Sequence, residues 1–349
     1  MKIWQQKIWQ QKIWQQLFGF FLVILLCVGC SKVESIAYNP WDVVALPTEE
    51  KILDIAFTQN LEHGYLVGAN STILETQDGG NSWKEINLEL GDENYRFNSI
   101  SFNGQEGWIV GEPALMLHTT DEGRSWSQVI LSEKLPGTPV NIVALAENTA
   151  EMATDVGAIY QTDNGGKNWK AQVEGAVGIV RNMERSPDGR YVAVSAKGNF
   201  YSTWEPGQQT WQPHNRNSSR KVENMGFTGD NQIWMLARGG QIQFSEPNNP
   251  EEWQEPIYPE FSTSWGLLDV AYRTPDEVWL SGGSANLLRS TDGGQTWEKD
   301  RFVEEVPTNF FKVVFLSEKQ GFVIGDRGGY LLKYNPDISE VAPSEGDEA

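Results

Sequence analysis

The sequence predicts an all-β chain folded as a seven-bladed β-propeller of four-stranded blades, with the ring closed by the N-terminal strand around Trp41. Three observations predict it. Trp41, Trp83, Trp126, Trp169, Trp211, Trp253 and Trp297 recur at spacings of 42 to 44 residues. A turn-rich stretch precedes each of them from Trp83 onward, and short apolar strands precede each stretch. Four short strands repeating about every 40 to 50 residues mark a propeller blade. Composition agrees: 15 Trp, 34 Gly and 16 Pro in 349 residues favour strands and tight turns over long helices.

Residues 1–29 read as an export leader. The unit KIWQQ occurs three times and supplies Lys2, Lys7 and Lys12 with no acid among them. The apolar run from Leu17 to Val28 has 12 residues. A bilayer-spanning helix needs roughly 20, so the run suits a signal-peptide core instead. Its end, Leu26-Cys27-Val28-Gly29-Cys30, resembles a bacterial lipoprotein signal. There a small residue precedes a cysteine that receives a diacylglycerol and becomes the first residue. Cys27 stands where that pattern usually has Leu, and ordinary cleavage near Gly29 would leave Cys30 an idle thiol. Lipid at Cys30 would hold the body firmly to a membrane, since each buried methylene contributes ~0.8 kcal/mol. With only two cysteines, both in this segment, a disulfide scaffold and a Cys-based zinc site are excluded.

The remainder divides into a tether at 30–40, a propeller at 41–334 and a tail at 335–349. Inner strands end at Phe57, Phe102, Leu145, Phe227, Tyr272 and Phe315. The second strands are GYLVG, GWIVG, RYVAVS, QIWMLA, EVWLSG and GFVIG, with the weaker EMATD in the third repeat. The last repeat lacks a following Trp, while Trp41 lacks preceding inner strands. Placing the Trp41 strand as the outer strand of the last blade closes the ring and leaves no open radial edge. The tail holds five acids, no bases and two prolines, and is expected to be solvated and disordered.

The turn before Trp297, Ser290-Thr291-Asp292-Gly293-Gly294-Gln295-Thr296-Trp297, fits S-x-D-x-G-x-x-W, the Asp box of sialidase-type repeats. Asp78, Gly80 and Trp83 match it, as do Asp121, Gly123 and Trp126. Asn164, Gly166 and Trp169 match with Asn for Asp, and Asp292, Gly294 and Trp297 match fully. The repeats ending at Trp211 and Trp253 have lost the box. The Asp is expected to cap turn amides, the Gly to take a positive φ, and the Trp to fill the gap between blades. These are structural roles. They leave open a lipid-anchored propeller that binds or hydrolyses carbohydrate, because such enzymes share the box.

The leader, the seven repeats and the run from Gly178 to Phe227 together resemble the photosystem II stability and assembly factor family of cyanobacteria and plastids. The resemblance covers roughly Tyr38 to Asn335. It implies a non-enzymatic, monomeric factor on the lumenal side of the thylakoid membrane, held there by lipid at Cys30. The implied partners are the newly made D-one reaction-centre subunit, its precursor, and early assembly intermediates of photosystem II. An arginine-rich surface is implicated in that family, and the matching positions are Arg181, Arg185, Arg190, Arg216 and Arg220. Lys221 departs from an all-arginine reading, and the acidic tail has no counterpart.

Charge supports such a surface independently. The chain has 27 Lys plus Arg against 47 Asp plus Glu, a net charge of −20, so it has no general affinity for nucleic acid. Yet Gly178 to Gly240 holds eight bases and five acids. A basic island on an acidic body steers acidic partners, and arginine clamps carboxylates bidentately. The plainer reading is that these arginines solvate strands or pair with nearby acids. Arg185 falls where other repeats place an aromatic residue. Either it is buried against a partner charge or the register slips by one.

Three residues before the terminal aromatic stand Asp54, Ser99, Asn224, Asp269 and Lys312, with Ile142 as the exception. Polar residues in mid-strand imply a wet central channel, which they are expected only to solvate. No spaced acid/base pair, nucleophile elbow or phosphate loop is visible, and the three histidines are isolated, so neither catalysis nor a metal or other cofactor is expected.

Overall fold

Each repeat folds as one antiparallel sheet because its apolar runs are short and each ends in a reversing turn. The computed structural model describes residues 33–173, 177–216, 218–230, 232–247, 249–259 and 266–337. The expected leader, Cys30 and all but the start of the acidic tail lie outside the described residues. Seven four-stranded sheets form a seven-bladed propeller. Six are built from consecutive strands. The seventh adds Trp41–Ala45 to the edge formed by Phe310–Ser317, Gln320–Gly325 and Tyr330–Tyr334. Trp41 pairs with Tyr334 and Ala45 with Tyr330, which is the predicted closure. All of EMATD but its final Asp155 lies in a six-residue strand, Thr149–Thr154, despite its weak pattern. Its Ala150, Met152 and Ala153 are all buried.

The sheet order gives the ring two unlike faces. Hairpins joining first to second strands, and the Asp-box turns joining third to fourth, lie on one face. Hairpins joining second to third strands lie on the other, with the connectors between blades. We call these the box face and the connector face. A residue's position along its strand therefore decides which face it serves.

All seven inner strands carry a bulge near their start. Ile52 pairs with Gly68, yet Asp54 pairs with Val67, and the other six repeat this shift. The residues after the bulge are Asp54, Ser99, Asn141, Asn182, Asn224, Asp269 and Lys312. Ile142 is thus no exception: Asn141 takes the polar position and Ile142 is buried at 1%. Counting back from Leu145 missed this, because the third inner strand has a second register shift between Ala144 and Ala146.

The same register fixes Arg185. Facing Phe57, Phe102, Phe227, Tyr272 and Phe315 in their sheets are the first or second residues of the second strands, and Arg185 faces Tyr191 in the same way. There is no slip. In two other seams the terminal aromatic stacks on the preceding blade: Phe57 on Phe322 at 5.3 Å and Phe102 on Tyr65 at 5.5 Å between ring centroids. The positions equivalent to Tyr65 and Phe322 are Trp108, Trp234 and Trp279, Val192 in blade 4, and Glu151 in blade 3. Arg185 Nε donates to Glu151 Oε1 at 2.6 Å, and the Tyr191 hydroxyl donates to the same oxygen at 2.8 Å. An ion pair replaces an aromatic stack at the seam between blades 3 and 4.

That pair is nearly enclosed, with side chains 13% and 8% exposed. Arg185→Ala leaves Glu151 uncompensated and is expected to cost about 3–5 kcal/mol in denaturant unfolding. Replacing both residues as elsewhere in the ring, Glu151→Tyr with Arg185→Phe, is expected to recover most of that loss. A double variant as unstable as the single one would contradict the equivalence.

Candidate functional site

The boxes are braces. Thr76 Oγ1 accepts the amide of Gly80 at 2.9 Å, and Asp78 accepts the amide and hydroxyl of Ser82 at 2.9 and 2.6 Å. Asp121 and Asp292 repeat this arrangement with Ser125 and Thr296, and Asn164 accepts the amide of Asn168 at 3.0 Å. The Ser125 hydroxyl bond is the main cause that holds the Asp121 carboxyl below its usual range. Gly80 has φ of 87°, and a Cβ there would stand 2.7 Å from the Phe322 ring of the preceding blade. Gly123, Gly166 and Gly294 take the same conformation. Trp126 packs edge-on to Tyr65 and Phe102, and Trp169 to Trp108, so each fills the seam behind its blade. The four box carboxylates and amides are occupied by turn atoms.

The predicted arginines divide between the two faces. Val180–Arg185 is the inner strand of blade 4, so Arg181 opens it on the connector face and Arg185 closes it toward the box face. Arg190 follows on the box-face hairpin, where it pairs with Asp188 at 3.1 Å and lies 5.4 Å from the Phe227 ring centroid. Arg185 is the seam residue described above. Neither belongs to the patch.

Arg216, Arg220 and Lys221 lie on the connector from blade 4 to blade 5, and so share a face with Arg181. The arginine side chains run in one chain of contacts. Arg216 Nη1 donates to the carbonyl of Arg220 at 2.5 Å, and Arg220 Nη1 donates to the carbonyl of Arg238 at 3.1 Å. Arg238 Nε bonds Glu223 at 2.6 Å, and Glu223 also receives Arg181. Arg220 lies 5.3 Å from the centroid of the Tyr258 ring, which holds the guanidinium flat. Gly239 takes φ of 86°, which favours glycine, and a Cβ there would stand 2.3 Å from Arg220 Nη1 and displace that guanidinium. Four arginines are thus linked, two of them directly on one acid, and Lys221 adds a fifth cation next to Arg220 in the chain. Ile179, 68% exposed, and Phe200, 38% exposed, stand beside them and offer apolar contact.

Arg238, Glu223 and Tyr258 were not singled out from the sequence. Arg238 and Glu223 fell within the basic window, but only the bulge turns Glu223 toward Arg181 of the neighbouring blade. Between blades 4 and 5 lies a cavity of about 600 Å³ lined by Arg216, His214, Tyr201, Glu251 and Trp253. Burial lowers the pKa of both Arg216 and His214.

The channel residues do more than solvate. Asp54 Oδ2 accepts the amide of Ile100 in the next blade at 2.9 Å, and Asp269 Oδ2 accepts that of Val313 at 3.0 Å. Asn224 Nδ2 donates to the carbonyl of Leu268 at 2.7 Å, again across a seam. Lys312 Nζ meets Asp54 Oδ1 at 2.5 Å; burial opposes its charge, but Asp54 outweighs that and the pKa rises. Glu184, on the channel side of blade 4, has no hydrogen bond or ion pair among the described residues. It is reached by water yet ringed by the channel wall. That enclosure pushes its carboxyl up to about 7, and burial pushes Asp269 up to about 6; water in the channel tempers the first shift.

A carboxyl whose folded pKa is raised takes up its proton more readily folded than unfolded. The stability it contributes therefore grows as pH falls through the folded value. Glu184→Gln is expected to stabilise the protein at about pH 8 and to lose that advantage by about pH 5, in paired denaturant melts. An advantage that is equal at both pH values would contradict the assignment.

The family model for "Photosynthesis system II assembly factor YCF48" matches residues 33–335. A "Photosystem II assembly lipoprotein Ycf48" from Trichormus variabilis is 69% identical over 329 residues, covering 94% of this chain and 96% of the relative. A protein of the same description from Picosynechococcus is 57% identical, covering 90% and 93%. A solved structure described as "YCF48 bound to D1 peptide" superposes with a TM-score of 0.85 at 55% identity, over 87% of this chain and 98% of that one. A GH74 xyloglucanase from Xanthomonas campestris reaches a TM-score of 0.65 at 14% identity, a likeness of fold alone. With the family model spanning the whole propeller, the chain belongs to the Ycf48 family of photosystem II assembly factors.

Proposed function

We propose that this protein is a non-enzymatic photosystem II assembly factor that holds a segment of the D1 subunit on its connector face, at blades 4 and 5. The observation that carries this reading is the linked series Arg216, Arg220, Arg238, Glu223 and Arg181 on a chain of net charge −20. Its field has the opposite sign to that of the body, so it orients an approaching acidic segment before contact. Partner carboxylates then meet guanidinium groups already held flat or braced, which lowers the ordering cost of binding. Ile179 and Phe200 supply apolar surface at the edge of the same patch. The relative solved with a D1 peptide supports the choice of partner.

Lipid at Cys30 would tether the propeller to the photosynthetic membrane, in keeping with the lipoprotein names of its relatives. Tethering confines factor and nascent subunit to one surface, so modest intrinsic affinity suffices. The glycan-binding alternative has only the fold in its favour, and the relatives are named as assembly proteins.

Arg216→Ser, Arg220→Ser and Lys221→Ser together leave the Arg181–Glu223–Arg238 brace intact. The triple variant is expected to fold normally by circular dichroism. It should bind D1 lumenal peptide at least about tenfold more weakly, with a shallower salt dependence. Arg190→Ser, on the box face, is expected to bind like wild type. A triple variant that also binds like wild type would refute the site.

A further inference from the structure

The N-terminal segment is fastened to the propeller before the first blade strand begins. Ile36 is only 2% exposed, and its amide donates to the carbonyl of Lys299 at 3.1 Å, on the outer strand of blade 6. Arg289 Nη1 donates to the Tyr38 hydroxyl at 3.0 Å, and its guanidinium lies 5.4 Å from the centroid of that ring. Residues 35–40, expected from the sequence as part of a tether, are thus held in the seam between blades 6 and 7. Cys30 precedes Ser35 by five residues, which span at most roughly 18 Å even when fully extended.

Two of the exposed large apolar side chains flank this exit. Val43, 50% exposed, shares the strand face of Trp41, which packs edge-on to Trp279 of blade 6 at 5.1 Å. Phe302, 58% exposed, follows Lys299 on the connector leaving blade 6, beside Val303 in the core cluster that also contains Ile36. Both cations next to Phe302 are paired, with Glu304 3.0 Å from Lys299 and 3.2 Å from Arg301.

We propose that the outer rim of the seam between blades 6 and 7, marked by Val43 and Phe302, rests against the lipid bilayer. The inference rests on the reading of Cys30 as lipidated. Apolar side chains beside a short lipid tether enter the headgroup boundary because the tether has already met the cost of bringing them there. Rim contact sets the ring on edge, which leaves the basic connector face at blades 4 and 5 open to a partner. A ring lying connector-face down would cover that patch instead.

The mature chain has no thiol besides lipidated Cys30, so single cysteines can be labelled. Val43→Cys, Phe302→Cys and Ile130→Cys, each in the lipidated protein and each carrying an environment-sensitive fluorophore, would be reconstituted on phosphatidylcholine vesicles containing doxyl-labelled chains. Ile130, 93% exposed on the connector from blade 2 to blade 3, reports on the far side of the ring. Strong quenching at 43 and 302 with little at 130 is expected. Quenching at all three sites would indicate face-down binding and overturn the proposal. No quenching at 43 and 302 in protein that floats with the vesicles would overturn it while leaving the anchor standing. Protein that fails to float would overturn the anchor reading and the proposal with it.

Discussion

Closure of the ring depends on one pairing, that of Trp41–Ala45 with Tyr330–Tyr334. The last blade supplies three strands of its own, and without a fourth its edge would expose an unpaired row of amides and carbonyls. Trp41 enters the seam behind that strand, edge-on to Trp279 and Tyr334 and 5.9 Å from Phe315. Sequence-distant ends of the chain are thereby joined through both backbone and core. The geometry of every other seam follows, because a closed ring fixes the angle at which each blade meets the next.

Within that constraint the seams differ. Most are filled by aromatic pairs and a box or outer-strand Trp, and the channel adds polar stitches such as Asp54 to Ile100. The seam between blades 3 and 4 uses Arg185 and Glu151 instead. A buried ion pair is seldom more stabilising than a well-packed apolar one, but it penalises mismatched neighbours more sharply. Next to it the box motif disappears in blades 4 and 5, and the basic cluster begins. The part of the ring that departs from the repeat is the part read here as the partner site.

The blades and their closure were legible in the sequence because the tryptophan spacing holds throughout, and turn chemistry and strand alternation agree with it in most repeats. The two-faced division of the arginines was not. Arg181 and Arg185 are four residues apart and look like one cluster, yet they sit at opposite ends of a single strand. Arg190 lies on the hairpin that follows, while Arg216 to Lys221 return to the first face only after two further reversals. The pairing of Arg185 was half legible: Glu151 stands where neighbouring repeats carry Tyr65 and Trp108, a co-ordinated exception visible once the second strands are aligned. The bulge hid Asn141, since an extra residue shifts any count made from the strand's end. Glu223 was hidden for the same reason, as a bulged position takes its direction from backbone geometry that residue type does not announce.

The central claim is that a polypeptide partner is held on the connector face at blades 4 and 5, away from the box turns. Amide hydrogen exchange on the protein with and without D1 lumenal peptide tests it directly, because protection is mapped without any substitution. The account predicts added protection in residues 196–200, 218–222 and 238–241. Protection confined to the box-face hairpin at 186–190 or to the Asp-box turns, with the connector face unchanged, would contradict it.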